Sequence, residues 1–220
     1  DGVNIGEVVV NAPGKLDLAG HDETISGLQG NGTVDNGTGT GTYTLTVGAG
    51  NTDDTFSGVI QNTSGTVNLT KIGSGTQTLA GANAYTGRTL ISAGTLQLGA
   101  NNVLADGSLL EVNGAAATFN MAARTDTVAG VTLTDGTIYG GLTAPGTLTS
   151  TSAFDVRNGS ISARLAGSVG LNKSTTGTVT LSESNSYTGD TNVLAGTLVV
   201  SHASALGTTA GNKTVVSSGA

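Results

Sequence analysis

Residues 71–98 read KIGSGTQTLAGANAYTGRTLISAGTLQL, and residues 173–200 read KSTTGTVTLSESNSYTGDTNVLAGTLVV. At a constant offset of 102 they share Lys71/Lys173, Gly75/Gly177, Leu79/Leu181, Asn83/Asn185, Tyr85/Tyr187 and Gly87/Gly189. The match resumes at Ala93-Gly94-Thr95-Leu96 against Ala195-Gly196-Thr197-Leu198. Outward from this pair, LDLAGHDETISGL at 16–28 echoes FNMAARTDTVAGV at 119–131, offset by 103. Residues 1–220 therefore read as one continuous segment holding about two copies of a unit near 102 residues. The opening DGVNIGEVVV and the closing VVSSGA both fall inside strand-like pattern, as in a piece of a longer chain.

Within the unit the apolar period is two. Thr42-Tyr43-Thr44-Leu45-Thr46-Val47, Thr76-Gln77-Thr78-Leu79, Thr95-Leu96-Gln97-Leu98 and Thr178-Val179-Thr180-Leu181 each place alternate residues on one face of a strand. Pairs such as Asn36-Gly37 and Asn158-Gly159 punctuate them as turns. No run has helical spacing, and the pattern predicts an all-β chain. The 220 residues hold 36 Gly and 37 Thr but only three Phe, four Tyr and no Trp. That is too little bulk for the core of a β-sandwich, about 10 Å thick, and there is no propeller-blade period. A parallel β-solenoid, whose thin interior suits Val, Leu, Ile and Ala, fits. At roughly 20 residues per coil the expectation is about eleven coils in a rod about 50 Å long.

GTQTLAGANAYTGRTLISAGTLQL and GTVTLSESNSYTGDTNVLAGTLVV resemble the autotransporter-associated β-strand repeat, also called the passenger-associated transport repeat. The flanks LDLAGHDETISGLQGNGTV and DDTFSGVIQNTSGTVNLTK resemble the connecting parts of such proteins. The resemblance implies a right-handed parallel β-helix (β-solenoid) in a bacterial protein exported to the cell surface, and it implies no particular ligand. The repeat positions Gly75, Leu79, Asn83, Tyr85, Gly87, Gly94 and Leu96, with Gly177, Leu181, Asn185, Tyr187, Gly189, Gly196 and Leu198, are expected to be structural. Tyr85 and Tyr187 are expected at corners, rings packed on a neighbouring coil and hydroxyls in water. Asn83 and Asn185 are expected to satisfy turn backbone. Glu183-Ser184 replaces the Gly-Ala of the pattern and suggests a more exposed turn in the second copy.

A search for chemistry returns little. Without Cys there is no disulfide framework, and eight Lys plus Arg against a net charge of −7 exclude a nucleic-acid partner. No apolar run in this piece approaches the roughly 20 residues that span a bilayer. Asp53 and Asp54, the one adjacent Asp pair, are weak calcium candidates, although calcium takes about six to eight oxygens. His21-Asp22-Glu23 with Ser26 has triad residue types but no nucleophile elbow, and His202 is alone in sequence. No catalytic residue, bound metal or cofactor is expected.

The expected function is a non-enzymatic extracellular structural element forming a stiff stalk, filament or sheath. Adhesion to a host, surface or glycan ligand is the runner-up, through an exposed patch built around Tyr43, Phe56 or Tyr139, and a polysaccharide-degrading β-helix enzyme comes third. Neither end of the segment carries a polar cap, so the expected partners are further coils of the same or neighbouring chains, stacked end to end.

Overall fold

Alternation of Thr with Val, Leu or Ile makes short strands with one apolar side, and Gly-rich corners let the chain turn after each. The computed structural model describes residues 2–208 and 212–220; Asp1, which begins the strand-like opening, lies outside them. Every strand pairing is parallel, and each strand meets the one about twenty residues further along the chain: Thr24 opposite Thr46, Leu69 opposite Thr89, Leu171 opposite Thr191. The described residues contain no helix. The chain is a parallel β-solenoid with three faces per turn. The described residues trace about ten turns, and Thr214–Val216 is the eleventh strand on the first face.

The first and second faces merge into one sheet of 17 strands, because long strands such as Glu23–Gly30 and Leu109–Asn120 run across the corner between them. The third face is broken into two ladders. One is Lys15–Asp17, Thr33–Asp35 and Val59–Ile60; the other is Thr125–Val128, Thr147–Ser150 and Arg164–Ala166. The turns at 83–85, 102–104 and 185–187 cross that face without regular strand.

Side chains from the three faces meet in one apolar column. Leu28, Phe56, Leu79, Leu96 and Phe119 enter it from the second face, and Leu45, Leu69, Ile91, Leu110 and Leu133 from the first. A fully buried Leu or Ile contributes roughly 1.5–3 kcal/mol. The parallel ladder supplies the rest of the order by satisfying the backbone between turns.

The 102-residue offset spans five turns: Lys71 and Lys173 each end a first-face strand in the same corner. The 103-residue echo has a different content. In both segments an Asx side chain caps a two-residue left-handed turn. Asp17 Oδ1 accepts Ala19 N–H (3.0 Å) and Asn120 Oδ1 accepts Ala122 N–H (2.9 Å). Ala19 and Gly20 have φ of 51° and 80°, and Ala122 and Ala123 have 48° and 60°. His21 N–H then closes on Leu18 O (3.0 Å), and Arg124 N–H on Met121 O (2.8 Å). The first of these turns follows a third-face strand and the second follows a second-face strand, so the echo copies a turn onto a different corner. Asn36-Gly37 lies, as expected, in a turn between strands. Neither residue has positive φ; Gly39 supplies it at 84°, and Asn36 contributes its amide instead.

Candidate functional site

The repeat motif Tyr-Thr-Gly-x-Thr builds the corner from the third face to the first. Tyr85 and Tyr187 point inward and are fully buried, and each hydroxyl bonds a buried Thr hydroxyl four residues on: Thr89 Oγ1 at 2.6 Å and Thr191 Oγ1 at 2.7 Å. This corrects the expectation of hydroxyls in water. The solenoid corner is wide enough for a phenol ring, and the β-branched Thr offers the one polar partner the ring needs. Burial pushes both phenols upward. Phe154 packs on Tyr187 with ring centroids 6.2 Å apart. Between Tyr and Thr the chain presses on the turn before it: Gly87 N–H donates to Val67 O at 3.1 Å and Gly189 N–H to Val169 O at 2.9 Å. A Cβ at Gly87 would stand 2.3 Å from that oxygen. Gly94 and Gly196, in the Ala-Gly-Thr-Leu part, have φ of 61° and 71°, where a side chain is strained. Glu183-Ser184 is not more exposed than its counterpart: both residues are half-buried where Ala82 is exposed, and Ser184 O accepts Arg164 Nε–H at 3.1 Å.

Asn83 and Asn185 fill the breaks in the third-face ladder. Asn83 Oδ1 accepts the N–H of buried Ile60, one turn back, at 2.8 Å. Its Nδ2 donates to Val103 O, one turn on, at 2.9 Å, and to Gly81 O at 3.2 Å. Asn185 does the same between Leu165 N–H (2.8 Å) and Ala205 O (2.6 Å). Each amide therefore ties three successive turns, and Asn83 also bonds the backbone of its own turn. Asn36 repeats the device between Gly20 N–H (2.8 Å) and Ser64 O (2.7 Å). Asp126, whose carboxyl burial pushes upward, takes Val103 and Leu104 N–H on one oxygen, both at 3.0 Å. Gln77 reaches furthest: its amide receives Leu28 N–H (3.1 Å) and donates to Leu28 O (2.9 Å) across 49 residues of chain.

Lys71 and Lys173 are the buried cations of the repeat, and the composition gave no notice of their burial. Lys71 Nζ donates to Ile72 O (2.6 Å), Gly73 O (3.0 Å) and Ala93 O (3.3 Å), closing the corner between first and second faces. Lys173 Nζ donates to Thr175 O and to Ala195 O (3.0 Å). Burial lowers Lys71 to about 8 and lowers Lys173 as well. The signal was in the strand itself, since the alternation Val67, Leu69, Lys71 puts the lysine on the inward face.

Asp53 and Asp54 share a recess with Thr55, Thr76, Thr78 and Gln97, but both carboxylates are already engaged. Asp53 Oδ1 accepts Thr76 N–H (2.7 Å). Buried Asp54 accepts from Gln29 Nε2 and from Thr52 Oγ1, each at 2.7 Å. Among the described residues no three His, Asp or Glu side chains gather as metal ligands. Of the aromatic residues suggested for adhesion, Phe56 is fully buried in the core, while Tyr43 and Tyr139 are half-buried on different faces. The three do not form one patch. Tyr139 instead lines a recess beneath the segment 140–146.

This geometry accounts for the parts of the repeat one by one, and comparison with known proteins agrees. The passenger-associated-transport-repeat family model matches residues 69–98 and 171–200, the two stretches with a buried Tyr, a bridging Asn and a buried Lys. The chain carries two passenger-associated transport repeats. This passenger-repeat solenoid is also similar to the adhesin BmaC autotransporter of Brucella suis biovar 1 (strain 1330), at 37% identity over 201 residues, 87% of the chain. It spans 5% of that relative's length. No solved structure matches it significantly. Among the described residues no helix is long and apolar enough to cross a membrane.

Proposed function

We propose that this passenger-repeat solenoid is a non-enzymatic, extracellular structural segment of a bacterial surface protein, a stiff element of a stalk, filament or sheath. The observation that carries the reading is the tie between turns. Along the third face, buried Asn36, Asn83 and Asn185 each bond both the turn before and the turn after, and buried Asp126 bonds the turn before it. A rod joined by backbone ladder on two faces and by these ties on the third resists bending and offers proteases little loose chain. Its partners, on this reading, are further coils stacked end to end on the apolar residues Val199, Val200, Val215 and Val216, which are exposed at the C-terminal turns.

The adhesin reading draws support from the name of the relative, of which the chain matches a small part. Immuno-electron microscopy of the source cells with antibody to residues 1–220 separates the versions. Continuous label along threads or a sheath makes the solenoid the building material, and label on short spikes makes it a stalk. Label confined to the cytoplasm refutes the surface reading.

A further inference from the structure

The corner between second and third faces is tight almost everywhere. Two residues separate Gly30 from Thr33, Phe56 from Val59 and Ile161 from Arg164, and four separate Val10 from Lys15 and Asn120 from Thr125. After Tyr139 the chain takes seven, 140–146, before Thr147. This loop is pinned at its neck, where Gly140 O accepts both Gly146 N–H and Ala123 N–H at 2.8 Å, and Pro145 stiffens its return. Its tip stands clear of the rod, with Leu142 94% exposed. Beneath it lies a recess of about 240 Å³ in which Gln97, Asn120 and Tyr139, successive rungs of one outward column, meet Leu142 and Thr143.

We propose that this recess binds a neutral saccharide unit. Its volume is below the roughly 300–1,000 Å³ of a drug-sized pocket and suits a small ring. None of the described residues lining it is charged, so it has no cation to favour a phosphate, sulfate or carboxylate over a neutral ligand. It combines the surfaces a sugar presents: an aromatic ring and a Leu for the C–H face, and neutral hydrogen-bonding groups for the hydroxyls. Asn120 is held by its Nδ2 bond to Gln97 Oε1 (2.9 Å) and by Ala122 N–H on its Oδ1. That fixes the Gln97 amide with its NH2 free to donate, beside the Tyr139 and Thr143 hydroxyls. The rigid rungs position the polar groups and the loop supplies the cover.

The test is saturation-transfer NMR on the 220-residue chain with cellohexaose, maltohexaose and chitohexaose at millimolar concentration, and a heparin hexasaccharide as the anionic control. At least one neutral sugar is expected to receive saturation. Tyr139→Ala is expected to weaken it about tenfold, Tyr139→Phe to keep it within about threefold, and Leu142→Gly, at a fully exposed site, to weaken it about threefold. Saturation of none of the three, binding of heparin alone, or affinity unchanged in a folded Tyr139→Ala chain overturns the proposal. If Tyr139→Ala does not fold, unchanged affinity in Leu142→Gly overturns it instead.

Discussion

Replacing Asn83 by Ala removes one side chain and disturbs three turns. Ile60 is fully buried, and its N–H loses the Asn83 Oδ1 acceptor at 2.8 Å, so a donor is stranded away from water. That term alone is about 1–3 kcal/mol. Val103 O keeps one partner, the Asn83 backbone N–H at 3.0 Å, so losing the Nδ2 bond costs only a net hydrogen bond, about 1 kcal/mol. The expected loss is about 2–4 kcal/mol, a fall of roughly 6–12 °C in Tm for a chain of this length. Asn185→Ala should cost at least as much: Leu165 N–H is stranded in the same way, and the Asn185 backbone N–H bonds Ser204 O (3.0 Å), so it does not back up buried Ala205 O as Asn83 N–H backs up Val103 O. The two sites lie five turns apart, about 24 Å along the rod, so the double variant should add within about 0.5 kcal/mol. Urea denaturation followed by far-UV circular dichroism measures all three. Losses below about 1 kcal/mol at both sites would refute the view that these amides stand in for the missing ladder.

Three further outcomes follow from the same geometry. Tyr85→Phe should cost about 1–2 kcal/mol by stranding the Thr89 hydroxyl, and adding Thr89→Val should recover most of it; a thermal-melt double-mutant cycle reads the difference. Gly94→Ala should destabilise by about 2 kcal/mol or more, because φ of 61° is strained for Ala and its Cβ would stand 2.3 Å from Gly73 O; the urea midpoint checks it. Stability should peak at alkaline pH. Above pH 8 native Lys71 has released the proton that the unfolded chain keeps up to its ordinary 10.5, so the unfolded state binds more protons and stability rises through that window. The gain is on the order of 2 kcal/mol once the three carbonyl contacts, which favour the ammonium, are set against burial. Above about 10 the sign reverses, because native Tyr85 holds a phenol proton that the unfolded chain loses. Melts across this range in the wild type and Lys71→Met are the check: the variant should lose the Lys71 part of the rise, retain the part that Lys173 contributes, and keep the fall.

The fold was legible because it rests on local signals. Thr-Val-Thr-Leu alternation decides which side chains turn inward, and Tyr, Gly and Leu recurring in register decide that the units stack. What lay outside the sequence was which neighbour each inward polar group meets. Asn83 belongs to a Gly-Ala-Asn-Ala stretch that reads as a turn, and nothing in it names Ile60 or Val103, each about twenty residues away. Nothing in the sequence marks Tyr85 as dry, since a phenol is more often half-wet; the buried Thr89 that takes its hydroxyl follows only from the corner geometry. Lys71 and Gln77 could have been found, since each sits in phase with an inward Leu, but a charge or an amide in that phase is easily taken for an exception. The loop at 140–146 was missed because Gly-Gly-Leu-Thr-Ala-Pro-Gly reads as punctuation, and its length means something only beside the two- to four-residue corners of the other turns.

The clasp between Gln77 and Leu28 makes the assembly of the rod directional. Leu28 belongs to the second turn, and the amide that completes its backbone bonding comes from the fourth. A chain delivered N-terminus first must hold that second turn open until another 49 residues have arrived. Delivered from the other end, Gln77 is already seated when Leu28 appears, and the turn closes as it lands. Refolding of the released chain and its growth from one end or the other would then differ in rate while ending in the same structure.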